Sequence, residues 1–140
     1  MNANEISGEI IGAAIAVHRV LGPGLLEQPY KLCLAHELRK RNLKVESELA
    51  LPVVYDEVTI DLGYRIDLLV EHTVVIETKS VLALTPLHRA QLITYLRLGD
   101  FPIGLLLNFN ALRLKDGIVR LVNAPDLSLS SPSQPLRGPP

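Results

Sequence analysis

The chain has little cysteine, no long apolar run and no excess of charge of either sign. Its single cysteine, Cys33, excludes an internal disulfide and any zinc site built from several cysteines. Cys33 falls in an apolar helical pattern, so we predict that it is buried. No apolar run approaches the ~18 residues of a membrane span, and the N-terminus shows no basic segment followed by an apolar one. We therefore expect a soluble, cytoplasmic protein.

The charge is almost balanced, with 14 lysines and arginines against 15 aspartates and glutamates. This balance lacks the basic excess that is typical of nucleic-acid-binding proteins. The densest basic cluster lies between residues 36 and 44, and by itself it favours a solvated helix end whose cations face the helix dipole. Hydrophobic residues make up 48% of the chain, which is typical of a folded domain.

Hydrophobic periodicity divides the chain into helices and strands. The helices are predicted over residues 5–21, 26–41 and 85–98, and the strands over 44–50, 52–61, 63–70, 74–79 and 102–108. Within 52–61, Asp56-Glu57 predicts a tight turn, and a long bent strand is the alternative. Residues 112–121 are predicted to form a terminal hairpin that turns at Asp116-Gly117.

This order of elements predicts an α/β domain over residues 1–124. A helix between two strand segments allows a parallel strand pair, so we expect a mixed β-sheet flanked by helices. Residues 125–140 are rich in proline and serine, and we predict a disordered tail there.

Residues 63–80, GYRIDLLVEHTVVIETKS, combine strand-forming segments with three charged side chains. If the two strands turn at residues 71–73 around His72, Asp67 lies opposite Glu77 in an antiparallel pair. Side chains alternate along a strand, so Glu77 and Lys79 share a face. We therefore expect two carboxylates and one ammonium group on a single patch.

Two interpretations of this patch remain open from the residues alone. Opposed carboxylates repel each other and resist burial unless a cation compensates them. A divalent cation such as Mg²⁺ takes oxygen ligands from one or two carboxylates and would supply that compensation. Alternatively, Asp67, Glu77 and Lys79 form a solvated strand face with a cross-strand salt bridge.

Other candidate residues lie on the second and third predicted helices. Glu27 is placed at or just before a helix N-terminus, because Pro29 is tolerated only in the first turn. An acidic side chain is favoured there, so helix capping is the simpler role for Glu27. Gln91 and Tyr95 are four residues apart and share one face of the third helix.

Several motifs in this chain resemble those of the GxxExxY protein family, a branch of the PD-(D/E)XK nuclease superfamily. Residues 24–30, GLLEQPY, fit the G-x-x-E-x-x-Y pattern, and residues 76–79, IETK, contain an E-x-K motif. The likeness continues through residues 38–41, 64–70, 88–95 and 106–109, and it covers about residues 5–123. Ile66 stands where the name of the superfamily has proline.

The resemblance implies a restriction-endonuclease-like core and a divalent metal site. The residues that match the catalytic motifs of the family are Glu27, Asp67, Glu77, Lys79, Gln91 and Tyr95. Of these, Glu27, Asp67 and Glu77 would be the ligands of Mg²⁺ or Mn²⁺. The cation would polarise a phosphoryl oxygen and lower the pKa of water, while Lys79 would stabilise developing negative charge.

The leading hypothesis is a metal-dependent nuclease that hydrolyses phosphodiester bonds in nucleic acid, with DNA as the expected substrate. The alternative is a non-catalytic nucleic-acid-binding or assembly module that retains the fold. A third possibility is a metal site that only stabilises the fold. Apolar residues on the first helix also suggest a possible homodimer.

Overall fold

A five-stranded mixed sheet forms the centre of the protein. The computed structural model describes residues 1–61 and 63–124. The helices are α1 (Ala3–Leu21), α2 (Glu27–Lys40) and α3 (Pro86–Gly99). The strands are β1 (Val45–Ala50), β2 (Val53–Tyr55), β3 (Val58–Ile60), β4 (Arg65–Val70), β5 (Val74–Lys79), β6 (Ile103–Asn108) and β7 (Ile118–Val122).

The strand order in the large sheet is β1-β4-β5-β6-β7. Strands β5 and β6 are parallel and the other neighbours are antiparallel. Helix α3 makes the crossover between the two parallel strands, as the element order predicts. This confirms the expectation of a mixed sheet flanked by helices.

The sequence of the first helix determines both where the helix begins and which face is buried. Asn2 and Glu5 form a reciprocal capping box, each side chain accepting a hydrogen bond of 2.8 Å from the backbone of the other. Ile6, Ile10 and Val17 follow at helical spacing and are all buried. The helix therefore presents one apolar face to the sheet.

The sheet separates two apolar cores. One face packs against α1 and α2, where Ile10, Leu34 and Ile76 are completely buried. The other face packs against α3, where Leu92 and Leu106 are completely buried. Strand β6 is buried along its whole length, because helices cover both of its faces.

The small two-stranded sheet β2–β3 confirms the turn predicted at Asp56-Glu57 and excludes the long bent strand. Val53 pairs with Ile60 and Tyr55 pairs with Val58, and the two strands form a sheet separate from the large one. Tyr55 is 74% exposed.

The predicted terminal hairpin over 112–121 is wrong. Residues Leu114–Gly117 form a 3₁₀ turn, and β7 pairs with β6 instead of with the segment before it. Leu114 is buried in the α1/α2 core, which draws this segment away from the sheet edge. A Cβ at Gly117 would lie 2.6 Å from the backbone oxygen of Asn108, so the turn packs tightly on the end of β6.

Cys33 is exposed, which contradicts the prediction that it is buried. The buried stripe of α2 runs through Tyr30, Leu34 and Leu38, and Cys33 lies outside it. On α1, Val20 is the one large apolar side chain that is exposed within the described chain, so α1 offers little apolar surface to a second copy. The homodimer stays a prediction.

The tail predicted over 125–140 lies outside the described residues. Within residues 1–61 and 63–124, no helix is both long enough and apolar enough to cross a membrane.

Helix α3 approaches β6 closely at Gly104. A Cβ there would lie 2.9 Å from two side-chain carbons of Leu92, so Gly104→Ala forces Leu92 or the helix to move. We expect the substitution to lower the free energy of unfolding by about 1–3 kcal/mol, measured by urea denaturation.

Gly8→Ala is the matched control, because a Cβ at Gly8 on α1 meets nothing within 4 Å. It should stabilise the protein by about 0.5–1 kcal/mol, since alanine is the better helix former. Equal destabilisation by both substitutions would contradict close packing at Gly104.

Candidate active site

Asp67 in β4 and Glu77 in β5 lie side by side, just beyond the last paired residues of the two strands. The register pairs Leu68 with Ile76, which places Asp67 across from Glu77 as predicted. The backbone N–H of Asp67 donates to Glu77 Oε2 at 3.1 Å. Asp67 Oδ2 in turn accepts from the backbone N–H of Thr78 at 2.9 Å and from its hydroxyl at 3.0 Å. Each carboxyl group is thus held by the strand that carries the other.

Strand β4 changes its packing face at Asp67. Ile66 and Leu69 both pack in the α3 core, whereas strict alternation would place them on opposite faces. In the register with β1, Glu48 is the residue opposite Asp67, and its φ of 53° departs from strand geometry. The sheet is therefore irregular at the candidate acid.

Burial raises the free energy of the ionised form of Glu77. Glu77 is 6% exposed, and burial, followed by repulsion from Asp67, raises its pKa to about 8. Lys79 opposes this shift and Glu27 adds to it. In the absence of a further cation, Glu77 therefore holds a proton at neutral pH.

Lys79 and Glu27 contribute their charges to the site from its edge. Lys79 is partly buried and forms no ion pair within 4 Å inside the described parts of the chain. The solvated salt bridge that the sequence left open is therefore not formed. Glu27 is exposed and is the first residue of α2, whose N-cap, Leu26, makes no side-chain capping bond.

Helix α3 packs on the face of the sheet that carries the carboxylates. Gln91 Nε2 donates to the Tyr95 hydroxyl at 3.2 Å. Burial raises the pKa of Tyr95, and the negative charges of Glu77 and Asp67 raise it further. The ring of Tyr64 lies 6.3 Å from that of Tyr95. Tyr95 is thus a neutral hydroxyl beside the acid pair.

Side chains from two directions hold the loop that precedes Glu27. The buried Tyr30 accepts from the backbone N–H of Leu25 at 3.1 Å and donates to the carbonyl of Gly22. Its ring stacks on Phe109 with centroids 4.6 Å apart. The hydroxyl of Ser80, the residue after Lys79, donates to the carbonyl of Leu25. The Glu27 loop and the end of β5 are thereby linked.

Asn108 holds the segment after Lys79 from the neighbouring strand. Its side chain is buried, accepts from the backbone N–H of Val81 at 3.1 Å and donates to the Val81 carbonyl at 3.0 Å. The backbone N–H of Phe109 donates to the Lys79 carbonyl at 2.9 Å. Strand β6 therefore fixes the backbone on both sides of Ser80.

An ion pair that the sequence reasoning missed lies next to the site. Lys31, one turn after Glu27 on α2, is buried and pairs with Glu48. Glu48 is the residue opposite Asp67. The buried ammonium group had no signal in the sequence beyond its spacing of four residues from Glu27.

The predicted site residues also did not include Ser80, Asn108 and Tyr30, although Tyr30 and Asn108 lie inside the motifs of the family. Their contacts are hydrogen bonds to backbone atoms, and such partners have no sequence signature. A serine directly after a charged strand end is the one signal that was available.

The donor set fits a hard divalent cation in its chemistry. Asp67 and Glu77 supply carboxylate oxygens, and Mg²⁺ in proteins commonly takes one or two carboxylates together with water and substrate oxygens. Within residues 1–61 and 63–124, no group of three histidine, cysteine, aspartate or glutamate side chains is assembled for a metal ion. The pair Asp67 and Glu77 is thus the core of the candidate site, with Glu27 outside it.

The pKa of Glu77 predicts that the metal-free protein loses stability as the pH rises. The folded state holds a proton at Glu77 up to about pH 8, whereas the unfolded chain releases it near 4.5. Stability is therefore lost between those pH values, on the order of a few kcal/mol. Glu77→Gln should remove this loss and raise the melting temperature at pH 9 in the presence of a chelator.

Glu57→Gln, at an exposed position in the β2–β3 turn, is the control and should leave the pH profile of the melting temperature unchanged. A wild-type profile that is flat from pH 5 to 9 would contradict a protonated Glu77.

A family model described as the PD-(D/E)XK nuclease superfamily matches residues 4–121. No match was found among curated proteins or among solved structures. The matched range includes every candidate site residue. It also includes the five strands of the large sheet, apart from Val122 at the end of β7. On this match, the chain belongs to the PD-(D/E)XK nuclease superfamily.

Proposed function

We propose that this protein is a divalent-metal-dependent nuclease that hydrolyses phosphodiester bonds in DNA, and that it belongs to the GxxExxY branch of the superfamily. The observation that carries the proposal is the pair formed by the partly buried Asp67 and the buried Glu77, with Lys79 at the end of the strand that carries Glu77. Two adjacent ionised carboxyl groups, one of them buried, are unfavourable without a cation. Membership of a superfamily that generally uses divalent metals supports the same conclusion.

Asp67 and Glu77 would hold Mg²⁺ or Mn²⁺, and Glu27 would contribute from the edge of the site. When bound, the cation supplies Lewis-acid polarisation of the phosphate and lowers the pKa of water. Glu77 must lose its proton to act as a ligand, and its raised pKa couples that loss to cation binding.

Lys79 is the cationic side chain available to the scissile phosphate. It makes no ion pair within the described residues, so its ammonium group is not neutralised by a protein carboxylate. A preorganised positive charge beside a reacting phosphate stabilises negative charge that develops in the transition state. The backbone bond from Phe109 to Lys79 and the contacts of Ser80 hold its main chain in place.

Gln91 and Tyr95 offer neutral hydrogen-bond donors on the α3 side of the site. Gln91 donates to the Tyr95 hydroxyl, which leaves the hydroxyl proton of Tyr95 to donate to an anionic partner. The raised pKa keeps that proton in place at physiological pH. Both side chains therefore suit binding or orienting a phosphate oxygen.

Cleavage of DNA in the presence of Mg²⁺ or Mn²⁺ tests this function. Asp67→Asn and Lys79→Met should each lower the cleavage rate by about a hundredfold or more, because Asp67→Asn weakens cation binding and Lys79→Met removes a positive charge that stabilises the transition state. Single-stranded and duplex forms of DNA and RNA should be offered, and melting curves should show that the variants fold.

Glu57→Gln is the control that should cleave at the wild-type rate. Wild-type protein that cleaves no substrate faster than Asp67→Asn would contradict the proposal. Metal-independent binding of nucleic acid that survives Asp67→Asn would instead support a non-catalytic binding module.

A further inference from the structure

Nine of the fifteen exposed large apolar side chains of the described chain lie in two places. One group lies on the β2–β3 hairpin and the segment after it. The other lies beside the candidate active site, in the loop before Glu27, the segment after Lys79 and the first turn of α3, and we call it the leucine rim. Its members are Leu25 (42% exposed), Leu26 (81%), Leu82 (99%) and Leu87 (76%).

The leucine rim lies close along the chain to two residues of the candidate site, Glu27 and Lys79. Leu26 directly precedes Glu27, whose charge reaches Glu77. Leu82 lies three residues after Lys79, the last residue of β5. The hydrogen bond from Ser80 to the carbonyl of Leu25 joins the two loops. A polymer held at the Asp67–Glu77 pair therefore passes next to the rim.

The rim segments carry no cation. Residues 80–87, SVLALTPL, contain no charged side chain, and residues 20–28, VLGPGLLEQ, contain only the acidic Glu27. Proteins that follow a continuous duplex line their surfaces with lysine and arginine, because the duplex presents its phosphates outward. A leucine set beside the scissile phosphate gains nothing from phosphates, but it gains free energy from the apolar face of a base.

The rim loops are fixed before any substrate arrives. Tyr30 and Ser80 bind the backbone of the Leu25 loop, and Asn108 binds Val81 beside Leu82. Leucine side chains held in water by anchored loops raise the free energy of the protein relative to a state in which they are covered. Such a cost is recovered when a partner covers them.

We propose that the leucine rim packs against unpaired bases next to the scissile phosphate, so that the substrate class is nucleic acid with single-stranded or looped segments at the cleavage point. This inference rests on the proposed nuclease function. Insertion of apolar side chains into a continuous duplex costs a few kcal/mol per unstacked step, whereas an unpaired base presents its face without that cost. The rim also compensates for the weak phosphate attraction of a chain with net charge −1.

Cleavage rates on matched DNA substrates test the inference. One labelled strand is offered alone, in a continuous duplex, and in a duplex with an internal unpaired loop, each with Mn²⁺. The wild type should cut the single strand and the loop about tenfold faster than the continuous duplex, in line with the worth of one stacked base.

Leu82→Ser and Leu26→Ser should each reduce this preference, while Leu82→Tyr should strengthen binding of the single strand. Both positions are exposed, so melting temperatures should stay at the wild-type value. Leu32→Ser is the matched control, because Leu32 is 57% exposed on α2 but lies outside the rim, and it should keep the full preference.

The possible failures are distinguishable. If the wild type cuts no substrate above the Asp67→Asn level, the nuclease function and the rim proposal both fall. If it cuts the duplex as fast as the unpaired forms, or if the rim variants keep the wild-type preference, the nuclease function stands and the rim proposal alone is overturned. If the rim variants keep the wild-type preference, the rim is free to act as a surface for a protein partner.

Discussion

The placement of the buried Glu77 carboxyl group beside the partly buried Asp67 is the constraint on which the candidate site depends. Asp67 and Glu77 each accept hydrogen bonds from the neighbouring strand, so neither side chain can turn away from the other without losing those hydrogen bonds. The fold retains this arrangement although it raises the pKa of Glu77 to about 8. A stabilising role alone does not account for such a pair, since apolar residues would pack there at lower cost.

The surrounding elements hold the acid pair from three directions. Helix α3 brings Gln91 and Tyr95 over one face, α2 brings Glu27 to the edge, and β6 fixes the chain after Lys79 through Asn108. Hydrogen bonds between side chains and the backbone make most of these links, so the site is formed before substrate binds. Three of the four residues of the proposed leucine rim lie on the same anchored loops, next to the candidate site.

Much of the fold followed from periodicity, because alternating and helical patterns report which face of an element is buried. The turn around His72 and the parallel β5–β6 pair were predicted correctly for this reason. Periodicity failed where tertiary contacts decided the outcome: Leu114 entered the core in place of a terminal hairpin, and β4 reversed its face at Asp67. The link from Ser80 to Leu25 joins residues 55 positions apart, and no local pattern encodes it.

Proton release on cation binding tests the central claim most directly. Mn²⁺ is titrated calorimetrically into the metal-free protein at pH 7 in buffers of different ionisation enthalpy. If Glu77 is protonated and becomes a ligand, binding should release close to one proton, and Glu77→Gln should abolish that release. Binding without proton release, or release that persists in Glu77→Gln, would contradict a cation site built on the Asp67–Glu77 pair.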